Sequence, residues 1–276
     1  MSLDVAFNRA LIEAVLVGTA TGLLGVQVVL RRLAFFTMAM THATFPGVVV
    51  AAVVGANLYL GGAAAGTLAA LAVVALSRRR GHDPSTATAV ALAGGFALGV
   101  ALLSAQHGLT KDLTAYLVGS ILTVTRQDLA VAAAVATLAA VVLAAGNKAL
   151  TFTAFDRDGA RAAGYHTAAI DFGVLLLISV VVATAAPAVG TILTLALVVA
   201  PAGAARLWTD RIATMTALAV AVAVTSAVAG LLVSRTWDVA AGGAISLTAA
   251  GIFAASMLLS PRHGALTRWH RRAGFR

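Results

Sequence analysis

Cysteine is absent from all 276 residues, so disulfides, thiolate metal sites and cysteine nucleophiles are excluded. Charge is scarce as well: 11% of residues are charged, where a soluble domain carries about 25%. Glutamate occurs once, at Glu13. Three catalytic signatures are also missing, namely a Walker A loop, a G-x-S-x-G elbow and an H-E-x-x-H helix. The chain is therefore expected not to hydrolyse ATP, and any ATP-driven step calls for another chain. The opening "MSLDVAFNRA" is polar and mildly charged, so no cleavable leader is expected.

Apolar residues are what the chain has in excess. They make up 61% of it, and the mean hydropathy is +0.97. No soluble globule of this size hides that much apolar surface. The runs are long and nearly charge-free, without the short alternating segments of a membrane β-barrel, so the expected fold is an all-α, polytopic transmembrane bundle forming a single domain over 1–276. Apolar spans are read at 11–30, 42–60, 61–77, 87–105, 129–146, 172–187, 190–206, 211–233 and 239–259. The spans at 61–77, 172–187 and 190–206 sit at or below the minimum of about 17 residues for a crossing, so eight or nine are expected. "LTAYLVGSILTV" (113–124) cannot cross alone and is read as re-entrant or interfacial.

The net charge of +9 raises nucleic acid as a partner, but the basic residues fall between and beyond the spans, where membrane orientation puts them. No nucleic-acid partner is expected. Arg31/Arg32, Arg78/Arg79/Arg80, Lys148 with Arg157 and Arg161, Arg206/Arg211 and the tail at 260–276 mark the cytoplasmic side. With nine spans these five regions share one side, which leaves the N-terminus outside and the C-terminus inside. The glycine pairs Gly18/Gly22, Gly62/Gly66 and Gly95/Gly99 have the four-residue spacing that lets helix backbones approach.

Ionisable groups within a membrane are costly and point to function by default. Two lie inside the predicted spans. Glu13 is close enough to the outer interface to reach water. His42 is near the start of the second span, with Met38 four residues earlier on the same helical face and Met40 nearby. Imidazole and thioether together suit a soft transition metal, although methionine on a helix also serves as packing. Pro46-Gly47 can break the helix just after His42, and broken helices at membrane depth often border a substrate path. The loop at 147–171 lacks an apolar core. Its "DRDGARAAG" reads as a short helix, with Asp156 and Asp158 at its start and Gly164 at its stop; it serves as a plain connector or as a helix that docks into a partner.

Four blocks resemble one family. "GLLGVQVVLRRLAFFTMAMTHATFPGVVVA" (22–51), "AYLVGSILTVTRQDL" (115–129), "VGTILTLALVVAPAGAARL" (189–207) and "SRTWDVAAGGAISLTAAGIFAASML" (234–258) are similar, in order, to the signatures of bacterial ABC-type manganese, zinc and iron importer permeases. The resemblance implies a multi-pass permease in the inner membrane that moves a divalent transition metal, zinc or manganese before iron, as transported cargo and not as a bound cofactor. It implies a permease homodimer, a cytoplasmic ATPase dimer that carries the ATP, and an extracytoplasmic metal-binding protein. The helix bearing Phe155, Asp156, Asp158, Ala160 and Gly164 becomes the coupling helix that seats in the ATPase. His42 becomes a metal-path ligand, with Pro46 and Gly47 as a gate beside it. The family pattern has an Asp four residues before that His; here the position is Met38, so the donor set is softer.

Two other classes compete. A secondary transporter driven by an ion gradient calls for inverted repeats and intramembrane acids; no repeat is evident and acids are few. An intramembrane enzyme needs a cluster of nucleophile, base or metal ligands, which one His and one Glu do not make.

Overall fold

The computed structural model describes residues 3–77, 83–105, 119 and 121–260. Its elements are α1 (Leu3–Leu30), α2 (Ala34–Ala43), α3 (Phe45–Val54), α4 (Leu58–Ser77), α5 (Pro84–Ser104), a 3-10 turn at Ile121–Thr123, α6 (Arg126–Ala145), α7 (Asn147–Phe155), α8 (Arg157–Ala162), α9 (Thr167–Val189), α10 (Thr191–Trp208), α11 (Ile212–Trp237) and α12 (Ala241–Leu259). Among the described residues eight helical segments are long and apolar enough to cross a membrane, with α2 and α3 together forming one of them, Ala34–Val54. A ninth apolar helix, Thr194–Trp208 within α10, is shorter. This is the expected all-α bundle.

Each crossing is a run of Ala, Val and Leu that satisfies its backbone internally, which hydrocarbon requires. The ends are cut by specific chemistry. Asp83 caps α5 by accepting from the Ser85 N–H at 3.2 Å. Thr125 and Asp128 form a reciprocal capping box at the start of α6. Between α3 and α4 the chain turns at Gly55, whose φ of +68° suits a residue without Cβ. Asn57 then accepts from the Tyr59 N–H at 2.9 Å and restarts the helix.

That turn corrects the expected second and third spans. The second crossing covers Ala34–Val54 and not 42–60; the third starts at Leu58 and not 61. The reading started the second span too late because Thr37, Thr41 and His42 dilute the hydropathy of α2. It also left 147–155 as loop, where the structure has α7.

Helix α1 lies at the centre, with Gly18 and Gly22 against the α11 backbone at Ala219–Val224 and Gly25 against the Val198 carbonyl of α10. Gly62 and Gly66 meet Val48, Ala183, Thr44 and Ser179, while Gly95 and Gly99 meet Ala43 and Phe45. Toward the end of the bundle that holds Arg31, Leu24, Val28, Phe36, Met40, Ile178 and Val182 build one core cluster. Toward the opposite end, Ala10, Ala14, Val17, Ile121, Leu197, Leu231 and Ile245 build another. Of the expected cytoplasmic clusters, Arg78–Arg80 and the tail beyond Ser260 lie outside the described residues, as does most of 113–124.

Candidate functional site

His42 is the ninth residue of the Ala34–Val54 crossing and so lies well inside it, not near its start. Locally the helix is weakened by its own side chains. The hydroxyls of Thr37 and Thr41 donate back to Leu33 O (3.0 Å) and Met38 O (2.7 Å), contacts that compete with the helical ladder and bend it. Helices α2 and α3 meet at Thr44, which keeps helical angles and bonds its N–H to Met40 O at 3.1 Å, and Pro46 stands in the first turn of α3, where its missing N–H does least harm. The joint thus sits between His42 and Pro46. Gly47 has a different place: its Cα faces α4, and a Cβ there would overlap the Gly61 carbonyl oxygen.

The His42 ring is half-buried and meets Phe96 of α5 edge-on, with centroids 5.4 Å apart and planes at 69°. Met38, one turn earlier, is 39% exposed, and Phe35 beyond it is exposed as well. Met38 and His42 therefore form an outward stripe on this chain, while Met40 is fully buried. No group of three or more His, Asp or Glu side chains gathers among the described residues. His107 and Asp112 lie outside them.

The second expected feature is built around α8. The Asp156 carboxylate accepts from the Gly159 N–H at 2.8 Å and starts the helix, with Asp158 in its first turn. Ala160 is buried, Phe155 is 62% exposed, and Gly164 ends the turn at a φ of +88°. Phe152 and Tyr165 stack edge-to-face at 5.9 Å, closing the α7–α8 unit.

Sequence reasoning missed what anchors this unit. Arg31, at the end of α1, donates from Nη1 to Asp171 Oδ1 of α9 at 2.6 Å, and from Nη2 to Leu150 O at 3.0 Å and Thr153 Oγ1 at 2.7 Å, both on α7. Arg157 of α8 pairs with the other Asp171 oxygen at 2.6 Å. The Arg31–Asp171–Arg157 network thus joins α1, α7, α8 and α9. Burial draws the Arg31 pKa below its ordinary value, and the Asp171 charge opposes that draw. A cavity of about 640 Å³ opens beside the network, lined by Arg31, Phe36, Ser77, Thr153 and Asp171. The sequence signals were the Arg31/Arg32 pair and Arg157, read there as orientation charges.

Glu13 departs from expectation. Its side chain is 1% exposed, and neither carboxylate oxygen has a hydrogen-bond partner. It does not reach water, because α1 begins at Leu3 rather than 11. Ten residues of helix, about 15 Å, therefore stand between Glu13 and the helix end.

Residues 4–260 match the model of the ABC 3 transport family. The chain is 34% identical over 264 residues to a manganese transport system membrane protein, MntC, of Halalkalibacterium halodurans, covering 96% of this chain and 90% of that one. It is 30% identical to the zinc transport system membrane protein TroC of Treponema pallidum, covering 98% and 94% of the two chains. Its structure superposes on a chain of PsaBC from Streptococcus pneumoniae, solved in complex with a Fab, with a TM-score of 0.87 at 29% identity, covering 96% and 94%. Sequence, span pattern and structure agree over nearly the whole length, and the chain belongs to the ABC 3 transport family.

Proposed function

We propose that this chain is the membrane permease of an ATP-binding-cassette importer that carries a divalent transition metal, manganese or zinc, into a bacterial cytoplasm. The observation that carries this reading is the end-to-end match to manganese and zinc transport membrane proteins. The Arg31 end faces the cytoplasm, in keeping with the basic residues at that end. There α8, with Phe155 exposed at its entrance, seats in a separate ATPase. The N-terminus lies outside, where a binding protein delivers the metal.

Two copies of the chain place their outward stripes face to face, so that His42 from each lines the path and Met38 flanks it. Imidazole supplies a borderline donor, and the thioether shifts the set toward softer ions than a carboxylate would. Pro46 and the Thr44 joint leave the backbone beside His42 less constrained than a regular helix. Arg31, Asp171 and Arg157 carry movement of α8 to the base of α1 and α9.

The test is total cellular metal by mass spectrometry in a strain lacking the chain, grown under metal limitation. The expected result is a selective fall in manganese or zinc that the intact gene restores. His42→Ala, expressed at the same level, should then lower uptake by about tenfold or more, as loss of a metal ligand does. No change in any metal on deletion would defeat the import reading, and wild-type uptake by His42→Ala would defeat the ligand role.

A further inference from the structure

We propose that Glu13, with Asp128 and Tyr59, forms a second station for the transported cation, at the end of the bundle opposite Arg31. The inference rests on the metal-import reading and adds a site to it. Its root is one unusual side chain. The chain's single glutamate is 1% exposed inside the crossing Val5–Leu30, and both of its oxygens lack a hydrogen-bond partner. A buried carboxylate without partners is among the costliest groups a membrane segment can hold. An alanine or leucine would fill the place at no such cost.

Its neighbours are oxygen donors. The Asp128 carboxylate, in the first turn of α6, lies near enough to act on Glu13 electrostatically. Tyr59, at the start of α4, interacts with Asp128 through its hydroxyl and feels the charge of both acids. Three helices thus supply two carboxyls and a phenol that act on one another electrostatically at this end of the bundle. Asp128 Oδ2 accepts from the Thr125 N–H at 2.8 Å, which fixes that carboxylate and leaves its second oxygen for other contacts.

Among the described residues no cation gives Glu13 a hydrogen bond. Arg9, one turn earlier on α1, has an interaction of its own and gives Glu13 no hydrogen bond. Arg235 lies over the Phe7 ring at 4.3 Å. Asp128 is half-buried beside the sealed Glu13, and the two carboxyls cannot both carry charge at low cost unless a cation sits between them. A divalent metal passing through is such a cation, and hard oxygen donors suit manganese better than a soft ion.

The position fits a path. Counting rise along the helices, Glu13 is about 25 Å from the Leu30 end of α1, and His42 about 12 Å from the Ala34 end of its span. The two differ in depth by about 13 Å. A cation entering at the Glu13 end would meet an oxygen site before the imidazole. Few ligands suit that role, since a station on a path must also release its ion.

The test uses the purified full-length chain and manganese(II) chloride as the probe. Manganese binding is read by electron paramagnetic resonance of the free ion, and thermal unfolding is followed with and without the metal. Wild type is expected to bind manganese and to gain thermal stability from it. Glu13→Gln should weaken that binding about tenfold or more and abolish most of the thermal gain, with Glu13→Asp recovering part of both. Manganese uptake in cells should fall with the binding. Wild-type affinity and uptake in Glu13→Gln would overturn the proposal while leaving the import reading intact. A wild-type chain that moves no divalent metal overturns both. If Glu13→Gln does not accumulate, Tyr59→Phe replaces it: a manganese affinity weakened about threefold supports the station, and an unchanged one overturns it.

Discussion

The two ends of the bundle treat buried charge in opposite ways. At one, Arg31 and Asp171 are held in a net of contacts between 2.6 and 3.3 Å that binds four helices together. At the other, Glu13 is buried more deeply than either, and its oxygens have no hydrogen-bond partner. A charge that is fully paired is structural: its removal leaves its partner stranded. A buried carboxyl without partners adds no stability whether or not it is ionised, and its presence calls for a functional reason. The comparison therefore separates the residues that hold this fold from the one that the fold merely tolerates.

That separation can be broken most directly at Asp171. Asp171→Ala leaves the Arg31 guanidinium buried without its counter-ion and should cost roughly 3–5 kcal/mol, read as a fall in the thermal midpoint of the purified chain. The double variant Arg31→Leu/Asp171→Leu should recover most of that loss; if it does not, the network matters for more than its charges. The opposite sign is expected at the other end. Without metal, Glu13→Leu should raise stability by about 2 kcal/mol, since an orphaned polar group is replaced by an apolar one. A clear loss there would mean that Glu13 has a structural partner and would erase the contrast.

Smaller effects sharpen the comparison. Asp156→Ala removes the cap of α8 and should cost about 1 kcal/mol, seen as faster hydrogen exchange at Gly159 with little change in global unfolding. Arg157→Gln should cost under about 1 kcal/mol, because this guanidinium is 58% exposed and solvent screens its pair. With the ATPase assembled, the same variant should lower metal moved per ATP hydrolysed, which distinguishes transmission from anchoring.

The sequence made the crossings legible because hydrocarbon demands long apolar helices, and the start and stop of α8 could be read from Asp156 and Gly164. The basic patches of the connecting segments were equally plain. What escaped it depended on which helices are neighbours. Arg31 and Asp171 are 140 residues apart, and nothing local announces their pairing. The burial of Glu13 depends on which face of α1 turns inward and on how far the helix extends beyond its apolar stretch. His42 was placed in the second crossing, but its depth was misjudged because hydropathy averages away a helix start built from threonine, methionine and phenylalanine. Gly47 was read with Pro46 as part of a break; its contact with Gly61 needs the position of α4.

The Thr44 joint has a mechanical consequence. On one side of it Ala43 is seated against Gly95, on the other Phe45 against Gly99, and both glycines belong to α5. Helix α5 therefore lies across the joint as a splint. Beyond the joint, the backbone contact of Gly47 with Gly61 locks α3 to α4. The half-span that carries His42 cannot swing alone: a change of angle at Thr44 must slide α5 or drag the α3–α4 hairpin with it. A crosslink between α2 and α5 would therefore hold the angle at Thr44 fixed.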